Sequence, residues 1–175
     1  MNRYTFAILV HNRFGVLNRV TSMFRRRRFN ISSLTVSETE TAEYSRITAV
    51  FGGEEATKEQ LMLQLYKLPD VVMVRELDHE ETVSSELLLI KVSNRSREQR
   101  NDILDAAGAF DAKIMEYGRD DIILQLVGDT TRVDSFIDLM RDYEILEICR
   151  TGVISLTRGL TTMRDAINDG CDAEG

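Results

Sequence analysis

The side chains able to do chemistry in this chain are few and scattered. Its two histidines, His11 and His79, stand in expected loops, with no Ser, Cys or Asp arranged around them as a triad or a metal motif requires. The two cysteines, Cys149 and Cys171, fall in an expected strand and a polar terminal stretch, without CxxC spacing or a neighbouring His. That pattern argues against a disulfide framework and against a zinc site. No GxxxxGK[ST] or GxGxxG loop occurs. The paired acids Glu54-Glu55, Glu80-Glu81 and Asp120-Asp121 sit in expected turns, where solvated charge is the ordinary state. Catalysis has no visible address, and neither a metal nor a catalytic residue is expected here.

Binding chemistry does have one. In the strand-to-helix turn His11-Asn12-Arg13-Phe14-Gly15-Val16-Leu17, free N–H groups at a helix start attract a carboxylate, and Gly15 lets a ligand or a backbone come close. The Asn12 amide carries a donor and an acceptor and suits a zwitterionic amino acid; equally, Asn12 reads as a helix cap and Gly15 as relief for the turn. Asn30-Ile31 follows the first expected helix, where an Asn often turns left-handed. Between them lies Arg25-Arg26-Arg27-Arg28, which reads as a solvated end matched to the helix dipole or as a docking patch for an acidic partner.

The elements that must position these groups follow from periodicity. Residues 4–10 are a short apolar run, read as a buried strand, and residues 15–28 carry Val16, Leu17, Val20, Met23 and Phe24 on one helical face. Residues 30–38 and 45–51 read as a hairpin. Thr57 and Gln60 form a capping-box pattern before a helix that Pro69 ends, and residues 71–74 follow as a strand. After the charged stretch 79–84 the order begins again: a strand at 86–92, a capping box of Ser96 and Gln99 before a helix, and a hairpin of 112–117 with 121–127. A helix near Asp129-Thr130 and a strand over 145–156 complete it. One βαββαβ order thus occurs twice at a spacing of roughly 80 residues. The expected organisation is α+β, with domains at 1–78 and 85–158, a linker at 79–84 and a polar, disordered tail at 159–175.

The 175 residues suffice for two small domains. A net charge of -7 argues against a phosphate-neutralising protein, and the absence of Trp with 7% aromatics argues against an RNA-binding βαββαβ sheet. No run approaches the length of a membrane span, and Met1-Asn2-Arg3 leads directly into a strand without a signal-type apolar region. A cytoplasmic protein without membrane or nucleic-acid partners is expected.

Two blocks, Asn12-Arg13-Phe14-Gly15-Val16-Leu17-Asn18-Arg19-Val20 and Phe29-Asn30-Ile31-Ser32-Ser33-Leu34-Thr35-Val36, resemble the opening of the small, regulatory subunits of acetohydroxyacid (acetolactate) synthase. A third, residues 150–159 (Arg-Thr-Gly-Val-Ile-Ser-Leu-Thr-Arg-Gly), is similar to that family's ending, and Lys67-Leu68-Pro69-Asp70-Val71 to its segment before the fourth strand. The resemblance implies an N-terminal ACT domain, a second ferredoxin-like domain, a homodimer, and activation of a separate catalytic subunit under feedback by valine or another branched-chain amino acid. It also implies an effector held between two ACT domains: Asn12, Gly15, Val16 and Leu17 from one chain, Asn30 and Ile31 from the other. Thiamine diphosphate, Mg and FAD are then expected in the catalytic partner and no cofactor in this chain. The chain departs from the family at Arg28, where Gly is common, and at His11, where an acid is frequent. The rival reading is a free-standing ACT-repeat sensor or transcriptional regulator.

Overall fold

The computed structural model of the chain describes residues 2–163 and 165. Its elements run β1 (Asn2–His11), α1 (Val16–Arg26), β2 (Ile31–Glu38), β3 (Tyr44–Gly53), α2 (Glu55–Leu65), β4 (Val71–Glu76), β5 (Thr82–Ser93), α3 (Arg97–Ala109), β6 (Lys113–Tyr117), β7 (Asp121–Gly128), α4 (Thr130–Met140), β8 (Ile145–Arg150) and β9 (Ile154–Thr157). The first antiparallel sheet has the order β2-β3-β1-β4, and the second, β6-β7-β5-β8, repeats it, with β9 off that path on β5. Two ferredoxin-like units result, as the doubled element order requires.

In the first unit α1 and α2 cover one face of the sheet. Phe6 and Ile8 of β1, Ile47 and Phe51 of β3, Val20 and Phe24 of α1, and Leu61 and Leu65 of α2 form the core. Phe51 is its centre, with the rings of Phe6, Tyr4, Phe24 and Phe29 at 5.0, 5.8, 6.3 and 6.3 Å. Strand β1 reads as a continuous apolar run because both of its faces are buried: Ala7 and Leu9, on the side away from the helices, are as inaccessible as Phe6 and Ile8. In the second unit Leu88, Ile90, Ile103, Ile122, Leu124 and Phe136 form the equivalent core.

Several local expectations meet a different geometry. Helix α1 is capped by Gly15 at φ 81° rather than by Asn12, and it ends at Arg26 instead of 28. The Thr57 capping box does not form, because α2 has already started: Glu54 is the cap residue and its carbonyl accepts the Thr57 N–H at 3.0 Å. Ser96 does cap α3, its hydroxyl accepting the Gln99 N–H at 3.1 Å, and Asp129 caps α4. Strand β5 starts at Thr82, within the expected linker. The expected strand over 145–156 is broken between β8 and β9, where Gly152 takes φ 83°.

That break redirects the chain. By contact the described residues from Val153 on belong with those up to Val83, and Ser84–Gly152 forms the other unit, whereas the sequence reading ran the second domain to 158. The Val153 N–H donates to Ser33 Oγ at 3.3 Å, Arg46 donates to the Ser155 carbonyl, and Arg75 donates to the Thr162 carbonyl at 3.4 Å. Ser33, Arg46 and Arg75 all pair in register with residues on the helix-free face of the first sheet, so this segment is a strap across that face. Part of the expected tail is therefore held: Thr157 Oγ1 donates to the Thr161 carbonyl at 2.9 Å, and Asp165 accepts the Thr162 N–H at 2.7 Å. Residue 164 and residues 166–175 of that tail, Cys171 included, lie outside the described residues.

The end of α1 also departs from expectation. Arg28, not Asn30, is left-handed, at φ 59°. The Phe29 N–H donates to the Phe24 carbonyl and the Arg28 N–H to that of Arg25, both at 3.1 Å, with the two Phe rings 6.2 Å apart. This is a Schellman ending with Arg where Gly is unstrained. The second unit closes α3 the same way, with Asp111 at φ 49° and the Ala112 N–H on the Ala107 carbonyl at 2.8 Å. An Arg28→Gly variant is expected to raise the folding stability of the chain by roughly 1 kcal/mol, as relief of left-handed strain less the added chain entropy. Denaturant unfolding extrapolated to low protein concentration, where association between chains contributes nothing, checks this, and an unchanged or lower midpoint there contradicts it.

Candidate functional site

The strand-to-helix turn of the first unit is built from long-range ties. The Asn12 N–H donates to the Glu43 carbonyl at 2.7 Å, and its side-chain Nδ2 donates to the Ala42 carbonyl and to Glu38 Oε1, both at 3.1 Å. Asn12 thus fastens the turn to the β2–β3 hairpin. On the other side Asp70 braces it twice: its carbonyl accepts the His11 N–H at 2.9 Å, and its buried carboxylate pairs with Arg19 of α1. Pairing across 51 residues leaves no trace in local spacing, so Arg19 and Asp70 were visible only as members of family-like blocks.

What the turn presents is decided by Gly15. Among the described residues no backbone carbonyl accepts the N–H of Gly15, Leu17 or Asn18, and Gly15 has no side chain to cap them. Those donors belong to an exposed turn, beside the fully exposed Phe14 and the exposed Leu17, while Val16 is buried and anchors the helix. The second unit supplies an internal comparison. Asn94 stands where Asn12 does, its N–H on the Asp120 carbonyl at 3.0 Å and its Nδ2 on the Asp121 carbonyl at 3.4 Å. There, however, Ser96 satisfies the helix start with its own hydroxyl. The hairpin-tying Asn belongs to both units, whereas the open helix start belongs to the first.

Asn30 and Ile31 lie elsewhere in the same chain. Ile31 pairs with Phe51 and Phe51 with Tyr4, while His11 pairs with Tyr44, so the Asn30-Ile31 end and the Asn12 turn are at opposite ends of the sheet. Seven residues of β1 separate the two levels, roughly 23 Å at the strand rise. Asn30 is exposed and Ile31 half-buried against the core. A single chain therefore does not gather all six residues about one small ligand.

Nothing catalytic is assembled among the described residues, where no group of three His, Cys, Asp or Glu could hold a metal. His11 lies against the Tyr44 ring at 5.2 Å, His79 is exposed, and Cys149 is free and exposed. Of the paired acids, Glu54, Glu55, Glu80, Glu81 and Asp120 are exposed. Glu55 is held below the usual carboxylate range by its hydrogen bonds with Lys58 and then Tyr4, a surface arrangement. No helix among these residues is long and apolar enough to cross a membrane.

Comparison with known proteins bears on the whole architecture. Residues 6–73 match the family described as the AHAS small subunit-like ACT domain, and residues 85–159 match the small subunit of acetolactate synthase. A probable acetolactate synthase small subunit of Archaeoglobus fulgidus is 44% identical over 157 residues, covering 90% of this chain and 98% of that protein. The acetolactate synthase small subunit of Bacillus subtilis is 41% identical over 155 residues, covering 87% and 88%. In structure, the acetolactate synthase small subunit of Thermotoga maritima superposes with a TM-score of 0.81 at 37% identity, over 92% of this chain and 100% of that one. With both halves matched in order, an ACT-type regulatory fold in place of a catalytic one, and relatives aligned nearly end to end, the chain belongs to the acetolactate synthase small-subunit family, the regulatory subunits of branched-chain amino acid biosynthesis.

Proposed function

We propose that this chain activates a thiamine-diphosphate-dependent acetohydroxyacid synthase catalytic subunit, which holds Mg and FAD as well, and lowers that activation when valine or a related branched-chain amino acid binds across a homodimer of its ACT domains. The observation that carries the reading is the open helix start at Gly15, with unaccepted N–H groups of Gly15, Leu17 and Asn18. Such donors at the positive end of a helix suit an α-carboxylate. Exposed Leu17 and the half-buried Ile31 suit an aliphatic side chain.

The edge of the sheet supports the dimer. Strand β2 is an outer strand whose residues, Ile-Ser-Ser-Leu-Thr-Val-Ser-Glu, include no Pro, no Lys and one charge, at the end. Edges so poorly protected pair with another strand. Antiparallel pairing of two β2 strands reverses their ends, which brings Asn30-Ile31 of one copy level with Glu38 of the other, the residue that holds Asn12. The six residues then meet at the dimer interface. An effector bound at tens of micromolar gains roughly 6 kcal/mol, and a coupling of about 1–3 kcal/mol between effector and catalytic partner suffices for feedback.

Isothermal titration of valine, leucine and isoleucine into the full chain tests this. Saturable binding of at least one is expected, weakened tenfold or more by Asn12→Ala, which frees the turn from its hairpin. Absence of heat with all three, or an Asn12→Ala titration matching the wild type, rejects the site.

A further inference from the structure

The arginine run at the end of α1 finds no counter-charge among the described residues. Among the described residues Arg25, Arg26, Arg27 and Arg28 make no ion pair, and Arg27 meets only the neutral Gln64 Oε1, at 3.0 Å. All four are exposed. This occurs in a chain whose net charge is -7, where acidic side chains are abundant. The helix dipole accounts for cations in the last turn, at Arg25 and Arg26. It does not account for Arg28, which stands beyond the helix in a left-handed conformation that Gly adopts without strain.

At the other end of β2 the charge is opposite. Glu38, Glu40 and Glu43 stand on or beside the β2–β3 hairpin, all exposed. Glu38 is engaged with Asn12, and Glu40 lies near enough to Arg46 of its own chain to favour that residue's charge. One edge of the sheet therefore carries a basic end and an acidic end, a pattern complementary to itself when reversed.

We infer that Arg27 and Arg28 form a charge lock with Glu40 and Glu43 of a second copy of this chain, setting the register of the β2–β2 interface; this rests on the homodimer proposed above. With the two-fold axis through the middle of β2, the Ile31 end of one copy lies beside the Glu38 end of the other, which brings Arg27 and Arg28, just before β2, to the side of the β2–β3 hairpin that carries Glu40 and Glu43. The axis makes the contact twice. The lock also fixes Asn30, two residues from Arg28, against the Asn12 turn across the interface, so it governs the geometry of the effector site. Opposite charges juxtaposed in this way select register and partner, and slipped registers pull the opposite charges apart.

Charge reversal tests the lock in the full chain. Arg27→Glu with Arg28→Glu sets acid against acid at the lock, and Glu40→Lys with Glu43→Lys sets base against base. By sedimentation velocity each double variant alone is expected to dimerise at least tenfold more weakly than the wild type. An equimolar mixture is expected to recover dimers, heterodimeric by native mass spectrometry, because every contact in the mixed pair is again between opposite charges. The wild-type dimer should also weaken as salt rises from about 0.05 to about 0.5 M, where screening shortens. That measurement needs no variant and stands even if one fails to fold. Variants that dimerise like the wild type, a mixture that does not recover, or a salt-independent wild-type dimer each overturn the lock. A wild-type chain that is monomeric throughout overturns the homodimer itself.

Discussion

Arg150→Met is expected to lower the stability of the second unit by about 3 kcal/mol or more, the cost range of leaving a buried carboxylate without its cation. Arg150 donates from Nε to Glu86 Oε2 at 3.3 Å and from Nη2 to Glu86 Oε1, while Nη1 reaches Asp134 at 2.7 Å. The Glu86 side chain is only 2% exposed, against 31% for Arg150. Burial works against the Arg150 charge, but its hydrogen bonds to Glu86 and then Asp134 outweigh it and hold the guanidinium above its usual range. Removing Arg150 keeps the burial of Glu86 and deletes its compensation. The pair joins the start of β5 to the end of β8, so the loss acts on the closing strand of the sheet. Thermal or denaturant unfolding should show it, and the double change Glu86→Leu with Arg150→Met should recover much of the loss, since an apolar pair of similar volume carries no desolvation penalty. An Arg150→Met chain as stable as the wild type would show Glu86 solvated in solution.

Ending the chain at Gly152 is the second change of large effect, and it is expected to weaken the first unit. Truncation removes the Ser155 carbonyl from Arg46 and the Thr162 carbonyl from Arg75. Arg46 is held below its usual range first by burial and then by the neighbouring Arg75 charge, so it is already a costly cation before its acceptor is lost. A hydrogen bond to a charged group contributes about 1.5–3 kcal/mol, and exposing the apolar face of β1 and β3 adds to that. Hydrogen exchange should report the loss as faster exchange across β1 and β3, with β7 and the helices α3 and α4 unchanged. Equal protection of the first sheet in the full and shortened chains would contradict the strap. Faster exchange confined to the second unit would assign the segment to that unit instead.

The readings that succeeded rest on short-range pattern. Helix α1 keeps Val16, Val20, Met23 and Phe24 on one buried face, as their spacing requires, and Ser96 and Asp129 cap because their oxygens sit three residues before an N–H in need of an acceptor. Thr57 carried the same signature and failed, because Glu54, three residues earlier, is already the cap residue of α2. Asn12 and Asn30 had local readings as a cap and a left-handed residue, and neither holds: the first is drawn off to Ala42 and Glu38, and the strain of the second is carried by Arg28.

The sequence by itself determined two βαββαβ units, their order, the faces their helices bury, and membership of a regulatory family through blocks at 12–20, 29–36 and 150–159. Those properties depend on periodicity and on neighbours a few residues apart, which any linear reading can see. Only the tertiary structure decided that Asp70 braces the Asn12 turn, that Arg150 compensates Glu86, and that the final segment turns back at Gly152 to strap the first sheet. The partners lie 51, 64 and 109 residues apart, as in Arg19–Asp70, Arg150–Glu86 and Arg46–Ser155. Contacts at that separation are set by sheet register and burial, and no local spacing encodes them.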